Sequence, residues 1–233
     1  KICLNQEVKC NPKDCPYAKG HFDRVNKAIM DLLNDEDMLT RDIIIKYAEY
    51  YRVCPFEFSL DLSLFSDVII CDYNYVFDPN VSLNRFFEGS GDDYVFLVDE
   101  AHNLVDRSRD MFSAEITKEP FLRYKSLFKE EFPNISKAFN NCNNVINRVK
   151  RKYLSHEKIY YQKEEITDLY SPINRLIREL EEWLIKGKGH ELYEEVQELY
   201  FQLLKFIKIS DFYDHRYVTY IESMDKDLFI KLF

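Results

Sequence analysis

The sequence predicts an α+β chain that is mainly helical, and three observations predict it. After Asp106 the apolar residues fall on three stripes with helical spacing. Two short runs, Val68-Ile69-Ile70-Cys71 and Val95-Phe96-Leu97-Val98, are wholly apolar and rich in β-branched residues. That is how strands covered on both faces of a parallel sheet are written. At the end of the chain, Tyr217–Ile221 and Leu228–Phe233 flank the polar stretch 223–227, which is the pattern of a β-hairpin.

The elements follow in order. Lys1–Pro16 is rich in Cys, Asn and Pro and has no apolar period, so packing alone does not hold it and a bound metal would. From Tyr17, the residues Phe22, Val25, Ile29, Leu32 and Leu33 give one helix. Ile44, Tyr47, Ala48 and Tyr51 give a second, with Thr40 as its N-cap. A third opens at Cys54-Pro55, where proline suits the first turn because its missing N–H has no partner to lose. The two apolar runs come next, separated by the acidic loop 88–93. Two such strands cannot form a sheet alone, so their partners must come from elsewhere.

Beyond Asp106 the pattern is purely helical up to the hairpin. The first stripe is Ile135, Ala138, Phe139, Cys142, Val145, Ile146, Val149 and Tyr153; the second is Ile173, Leu176, Ile177, Leu180 and Leu184. Leu192, Val196, Leu199, Tyr200, Leu203 and Ile207 make the third. Three or four antiparallel helices form a bundle. Ser171-Pro172 starts one of them, and Gly187-Lys188-Gly189 ends it with residues able to take positive φ.

Composition narrows the function classes. With 46 % apolar residues over 233 positions the chain has ample material for a core, and it is not a disordered tail. Its five glycines include no pair with the spacing of a phosphate-binding loop. No apolar run approaches the ~18 residues of a membrane span and no charged-then-apolar stretch stands at Lys1, so neither a membrane span nor a signal peptide is expected. Lys1 in place of an initiator Met suggests a piece of a longer chain. Cysteines clustered near one end, in a helix-patterned chain without a leader, point to a reducing cytoplasm and to metal binding rather than a disulfide framework.

Two constellations carry chemistry. Val95–Val98 runs into Asp99-Glu100-Ala101-His102, placing adjacent carboxylates at the C-terminal end of a strand, where open α/β sheets put their ligands. A bare Asp-Glu pair there also serves as a helix N-cap with favourable first-turn charge. The full Asp-Glu-Ala-His string after four apolar residues is more specific, and it resembles motif II of the DEAH-box branch of superfamily 2 helicases. In such motors the first carboxylate holds Mg²⁺ and the second orients the water that attacks the γ-phosphate, and Asp99 and Glu100 would take those roles. His102 would link hydrolysis to the nucleic-acid side.

The second constellation is Cys3, Cys10, Cys15 and Cys54, with six, four and thirty-eight residues between them. Structural zinc sites bring their thiolates in tight pairs, and only Cys10 and Cys15 come near that spacing. A cubane cluster is larger and draws ligands from longer loops, so the spacing suits [4Fe–4S] better than zinc, with ordinary cysteines third. Cys71, in an apolar run, and Cys142, on a helical stripe, are most simply core residues.

Taken together, the cysteine cluster, the string Asp67–Pro79, the DEAH box and a following helical segment resemble, in order and spacing, the iron–sulfur helicases typified by DinG and XPD, with bacterial DinG-like members nearest. The resemblance implies a fragment of a 5′-to-3′ DNA helicase. In it a helical iron–sulfur domain and a helical-bundle arch are inserted into a partial P-loop-type α/β motor domain. The divisions would be 1–66 for the cluster domain, 67–106 for a strip of the first motor domain with the DEAH box, 107–214 for the arch, and 215–233 for a hairpin returning to the motor. Cys3, Cys10, Cys15 and Cys54 would be cluster ligands, and Asp99, Glu100 and His102 the motif II residues, with Mg²⁺ and ATP bound in the full-length parent. Walker A and the second motor domain are not in this sequence, so the fragment alone should not hydrolyse ATP.

The expected partners are single-stranded DNA and the remaining motor domains of the same parent, with no membrane and a monomeric state. Tyr73-Asn74-Tyr75, after the first apolar run, is placed to contact the DNA, although with 17 Tyr and 18 Phe in the chain any one ring is more often core than platform. A net charge of −9 is wrong for a stand-alone DNA binder, so charge must be read locally. Arg148, Lys150, Arg151, Lys152 and Lys158 form the clearest basic run, a pattern most often found on a solvated helix face. The competing class is a zinc-stapled helical adaptor without motor activity, in which the Asp-Glu pair is only a cap. A carboxylate nuclease is weaker still, for want of a second acidic group at a convincing spacing.

Overall fold

The computed structural model describes all residues except 1–9, 80, 84–85, 88–93, 155–156, 188 and 225–226. Contacts divide the chain into two units, residues 1–72 with 84–91, and residues 73–83 with 92–233.

In the first unit, α1 (His21–Asp35), α2 (Arg41–Tyr51) and α3 (Pro55–Ser63) pack around Val25, Ala28, Leu32, Ala48, Val53, Phe58 and Leu62. Thr40 caps α2 by accepting the Ile43 N–H, and Pro55 occupies the first turn of α3 directly after Cys54, as the sequence predicts. The α1 stripe is narrower than predicted. Phe22 is 85 % exposed, and Ala28 faces the core instead. The link from α2 to α3 is a tight one. Arg52 ends α2 in the left-handed region at φ 51°, and the buried Val53 returns its N–H to the Ala48 carbonyl.

Arg24, on α1, fixes this link. Its Nε donates to the Tyr51 carbonyl at 2.8 Å, and its Nη2 donates to the carbonyls of Lys19 and Arg52, both at 2.6 Å. Carbonyls at a helix C-terminus lack partners within the helix and carry partial negative charge, so a guanidinium is well matched to them.

The second unit contains α4 (Asn74–Phe77), α5 (Leu104–Met111), β1 (Ala114–Thr117), α6 (Glu119–Leu127), α7 (Pro133–Tyr153), β2 (Ile159–Gln162), α8 (Tyr170–Lys186), α9 (Tyr193–Ser210), β3 (Thr219–Met224) and β4 (Asp227–Leu232). The predicted α7 and α8 stripes are buried, apart from Tyr153, which is half-buried, and Trp183 joins the α8 set. On α9 the stripe is rotated: Phe206 and Ile209 are buried, while Tyr200 and Ile207 pack at the margin. Phe121, Tyr124, Phe128 and Phe139 form an aromatic centre, with Phe128 and Phe139 stacked 6.1 Å apart.

The predicted hairpin is present as β3 and β4, in an antiparallel sheet of order β1-β4-β3-β2 with Ile221 opposite Ile230. The expectation of a purely helical segment after Asp106 is thereby corrected, because β1 and β2 add to the two sides of the hairpin. Each is only four residues long, too short to print a period of two on the sequence. Asp227 ties the sheet to the helices: its Oδ1 accepts the N–H groups of Lys118 and Glu119, at the start of α6, and of Leu228.

The two apolar runs differ from their prediction as buried strands. Neither forms strand pairs with any described residue, and Val68, Ile70, Val95 and Leu97 are 79, 96, 88 and 94 % exposed. A strand covered on both faces needs a neighbour on each side, and the described residues supply none.

Candidate functional site

Three of the four predicted cluster cysteines lie among the described residues, and all three belong to the first unit; Cys3 lies outside the described residues. Cys10 is exposed, Cys15 buried and Cys54 half-buried, and none forms a disulfide. Cys15 sits in the turns that lead into α1, its N–H donating to the Asn11 carbonyl and its carbonyl accepting the Lys19 N–H. Cys54 stands at the start of α3. Burial pushes its thiol pKa up, the Glu57 and Phe56 N–H groups at the helix start pull it down, and the neighbouring Cys10 thiol adds to the rise. Cys10 and Cys54 are thus close enough to sense each other. Among the described residues no three His, Cys, Asp or Glu side chains are grouped to hold a metal ion. The donor set fits an iron–sulfur centre in kind, since these are thiols not tied into disulfides.

Sequence reasoning missed His21. It is buried, and its Nδ1 accepts the Cys54 N–H at 3.1 Å, so the other ring nitrogen carries the proton. That Nε2 lies 4.0 Å from Asp61 Oδ2. Burial holds the imidazole pKa below its ordinary value, against the opposing pull of Asp61 and Glu57. The only sequence signal was a polar residue at the mouth of an apolar helix, which on its own reads as a surface position.

The acidic tip lies in the second unit. Tyr94–Val98 has no regular secondary structure, the chain turns at Asp99-Glu100, and a short 3-10 turn (Ala101–Asn103) leads into α5. The turn is made by Glu100 in the left-handed region at φ 49°, a conformation uncommon for a residue with a side chain. Asp99 Oδ1 accepts the Glu100 N–H at 2.8 Å and so fixes the turn. Glu100 Oε2 stands 3.4 Å from His102 Nδ1, and all three residues are exposed. The geometry brings Asp99, Glu100 and His102 to one solvent-facing corner, between the apolar run and a helix.

Tyr73, Asn74 and Tyr75 are half-buried around the first turn of α4. The Tyr73 carbonyl accepts the Val76 and Phe77 N–H groups, and the Tyr75 carbonyl accepts that of Leu83. Of the predicted basic run, Arg148 and Arg151 are exposed on α7, whereas Lys152 sits 4.7 Å from the centre of the Tyr153 ring.

A family model described as DEAD_2 matches residues 1–121. The chain belongs to the DEAD_2 family. Its match takes in the cysteines and the acidic tip and ends within α6. Similar curated proteins include the Fanconi anemia group J protein homolog of Gallus gallus, 27 % identical over 119 residues, covering 51 % of this chain and 9 % of that protein. The general transcription and DNA repair factor IIH helicase subunit XPD/RAD3 of Saccharomyces cerevisiae is 24 % identical over 120 residues, 52 % of this chain and 15 % of that protein. The ATP-dependent DNA helicase CHL1 of Candida glabrata is 27 % identical over 115 residues, 48 % of this chain and 14 % of that protein. The DEAD_2 chain therefore spans only a small part of these relatives' length. No solved structure matches it.

Proposed function

We propose that this chain is part of an ATP-dependent 5′-to-3′ DNA helicase, combining an iron–sulfur domain, the motif II strip of the first motor domain and a helical arch. One observation carries the reading: within the span matched by DEAD_2, Asp99-Glu100-Ala101-His102 occupies an exposed corner between an apolar run and a helix. In that role Asp99 would hold Mg²⁺, Glu100 would orient the attacking water, and His102, in reach of Glu100, would report nucleotide state toward the DNA side. The exposed apolar runs at 68–71 and 95–98 support the reading, because runs of that composition would be covered as strands by neighbours that the rest of a motor domain would supply.

The proposed divisions are 1–66, 67–106, 107–214 and 215–233. Cys3, Cys10, Cys15 and Cys54 would hold a [4Fe–4S] cluster, which when bound supplies a rigid cross-link for a loop region with no apolar period. His21 would orient Cys54 by accepting its N–H. Single-stranded DNA would meet Tyr73, Asn74 and Tyr75, and the protein would act as a monomer. No helix among the described residues is long and apolar enough to cross a membrane, and the unbonded thiols suit a reducing cytoplasm.

The test uses the full-length parent. Glu100→Gln is expected to lower DNA-stimulated ATP turnover at least 100-fold with the fold intact, as expected for loss of a group that positions the attacking water. Unchanged turnover overturns the motor reading. Metal analysis of anaerobically purified parent should give about four irons per chain; one zinc and no iron would favour the adaptor.

A further inference from the structure

We propose that the groove between α7 and α8 binds the phosphodiester backbone of a nucleic-acid strand. The groove encloses about 550 Å³ and is lined by Asn141, Asn144, Asn147, Arg148 and Arg151 of α7 and by Ser171, Pro172 and Arg175 of α8, with Val145 at its floor. Positions 141, 144, 148 and 151 follow one another at three- and four-residue steps, which lays amide and guanidinium groups along one ridge of the helix. Arg175, one turn after Ser171, faces the same space from α8.

The electrostatics single out an anion. No carboxylate lines the groove. Among the described residues no ion pair engages Arg148, Arg151 or Arg175, and Arg151 Nε reaches only the Asn147 carbonyl at 3.3 Å. Three uncompensated guanidiniums in one concavity stand out on a chain whose net charge is −9. A concave wall of one sign focuses the field and raises the local concentration of counter-charge. The first turn of the 17-residue α8 contributes its positive end to the same space. By contrast Lys152 already lies against Tyr153 and senses Asp168.

The shape and lining favour nucleic acid over an acidic protein. Guanidinium forks and amide N–H groups match phosphate oxygens. Protein partners anchor on buried aromatic or aliphatic pockets, whereas here the apolar lining is Val145 and Pro172 alone. No aromatic ring lines the groove, so base stacking is not provided and contact should be independent of sequence. At about 1.5 Å per residue, Asn141 to Arg151 covers about 15 Å, the span of about four phosphates of a stacked strand at about 3.4 Å each. The inference rests on the helicase reading only in taking DNA as the polyanion.

The test is a titration of the full chain with a fluorescein-labelled, mixed-sequence single-stranded 20-mer, read by anisotropy between 50 and 200 mM NaCl. The variant R148Q/R151Q/R175Q is expected to bind at least 10-fold more weakly at 50 mM. The slope of log K against log salt should flatten by about 2, since each lost phosphate contact removes about 0.7. The control K125Q/K129Q/K186Q removes the same charge elsewhere and should keep the wild-type slope. Should the triple variant lose its thermal transition, Arg175→Gln alone is expected to flatten the slope by about 0.7. An unchanged slope in the groove variant, or an equal loss in the control, overturns the proposal. Displacement of the DNA by poly-glutamate at equal charge concentration overturns it in favour of an acidic protein partner. Failure of the helicase reading would appear instead in the ATP turnover of the Glu100→Gln parent, leaving the salt slope as predicted.

Discussion

Arg24→Met keeps the length and apolar stem of the side chain and removes the charged fork that joins three carbonyls across the α1–α2–α3 unit. The bond to the Tyr51 carbonyl is partly buried, and the two to Lys19 and Arg52 are exposed. Taking about 1 kcal/mol for the first and about 0.5 for each of the others gives a loss of about 2 kcal/mol. That raises the opening constant of the α2–α3 link about 30-fold. Hydrogen exchange followed by mass spectrometry on the full chain reads this directly. The Val53 amide, bonded to Ala48 O at 3.0 Å, and the Cys54 amide, bonded to His21 Nδ1 at 3.1 Å, should exchange about 30-fold faster, while amides of α7, α8 and α9 keep their rates. Exchange that is unchanged at Val53 and Cys54, or accelerated equally throughout the chain, would refute the assignment of Arg24 as the clamp.

Three further outcomes are expected. Asp227→Ala strips the acceptor from three backbone N–H groups and should destabilise the second unit by about 1–2 kcal/mol in urea unfolding, whereas Asp227→Asn should recover part of that loss. Burial pushes the Cys142 thiol up to about 12 from an ordinary 9.0, so above pH 9 the unfolded state releases a proton that the folded state keeps and stability falls as pH rises. Between pH 8 and pH 10 the wild type should lose about 1 kcal/mol more than Cys142→Ala, measured by denaturant midpoints at each pH. Gly187→Ala should lower the melting temperature, because a Cβ there would meet the Trp183 carbonyl oxygen at 2.9 Å and its ring at 3.1 Å.

The helices were legible because their burial is periodic. Ile135 to Val149 and Ile173 to Leu184 each present one face to the core, and the sequence shows that spacing without help from the fold. What depends on a neighbour was less legible. Val68 to Ile70 read as buried because their composition is that of buried strands, yet composition cannot state whether the adjoining strands are present. β1 and β2 owe their existence to pairing with the hairpin rather than to any pattern in Ala114–Thr117 or Ile159–Gln162. Around the candidate site, the string Asp99–His102 announced itself by local sequence, and its corner geometry follows from the left-handed Glu100 and the 3-10 turn after it. His21 and Arg24 did not, since their meaning lies in bonds to Cys54, Tyr51 and Arg52, about 30 positions along the chain. Arg175 was likewise invisible, being separated in sequence from the α7 side chains that share its groove.

The two uncovered apolar ribbons also bear on how the protein behaves in a tube. Valine, isoleucine and leucine side chains that point into water, on runs that form no strand pairs with any described residue, are a surface on which another copy can settle. Made alone and concentrated, the polypeptide should grow cloudy as added salt screens its net charge of −9 and clear again with mild detergent, and a lysine placed at Ile70 or Leu97 should act as a gatekeeper against that stickiness.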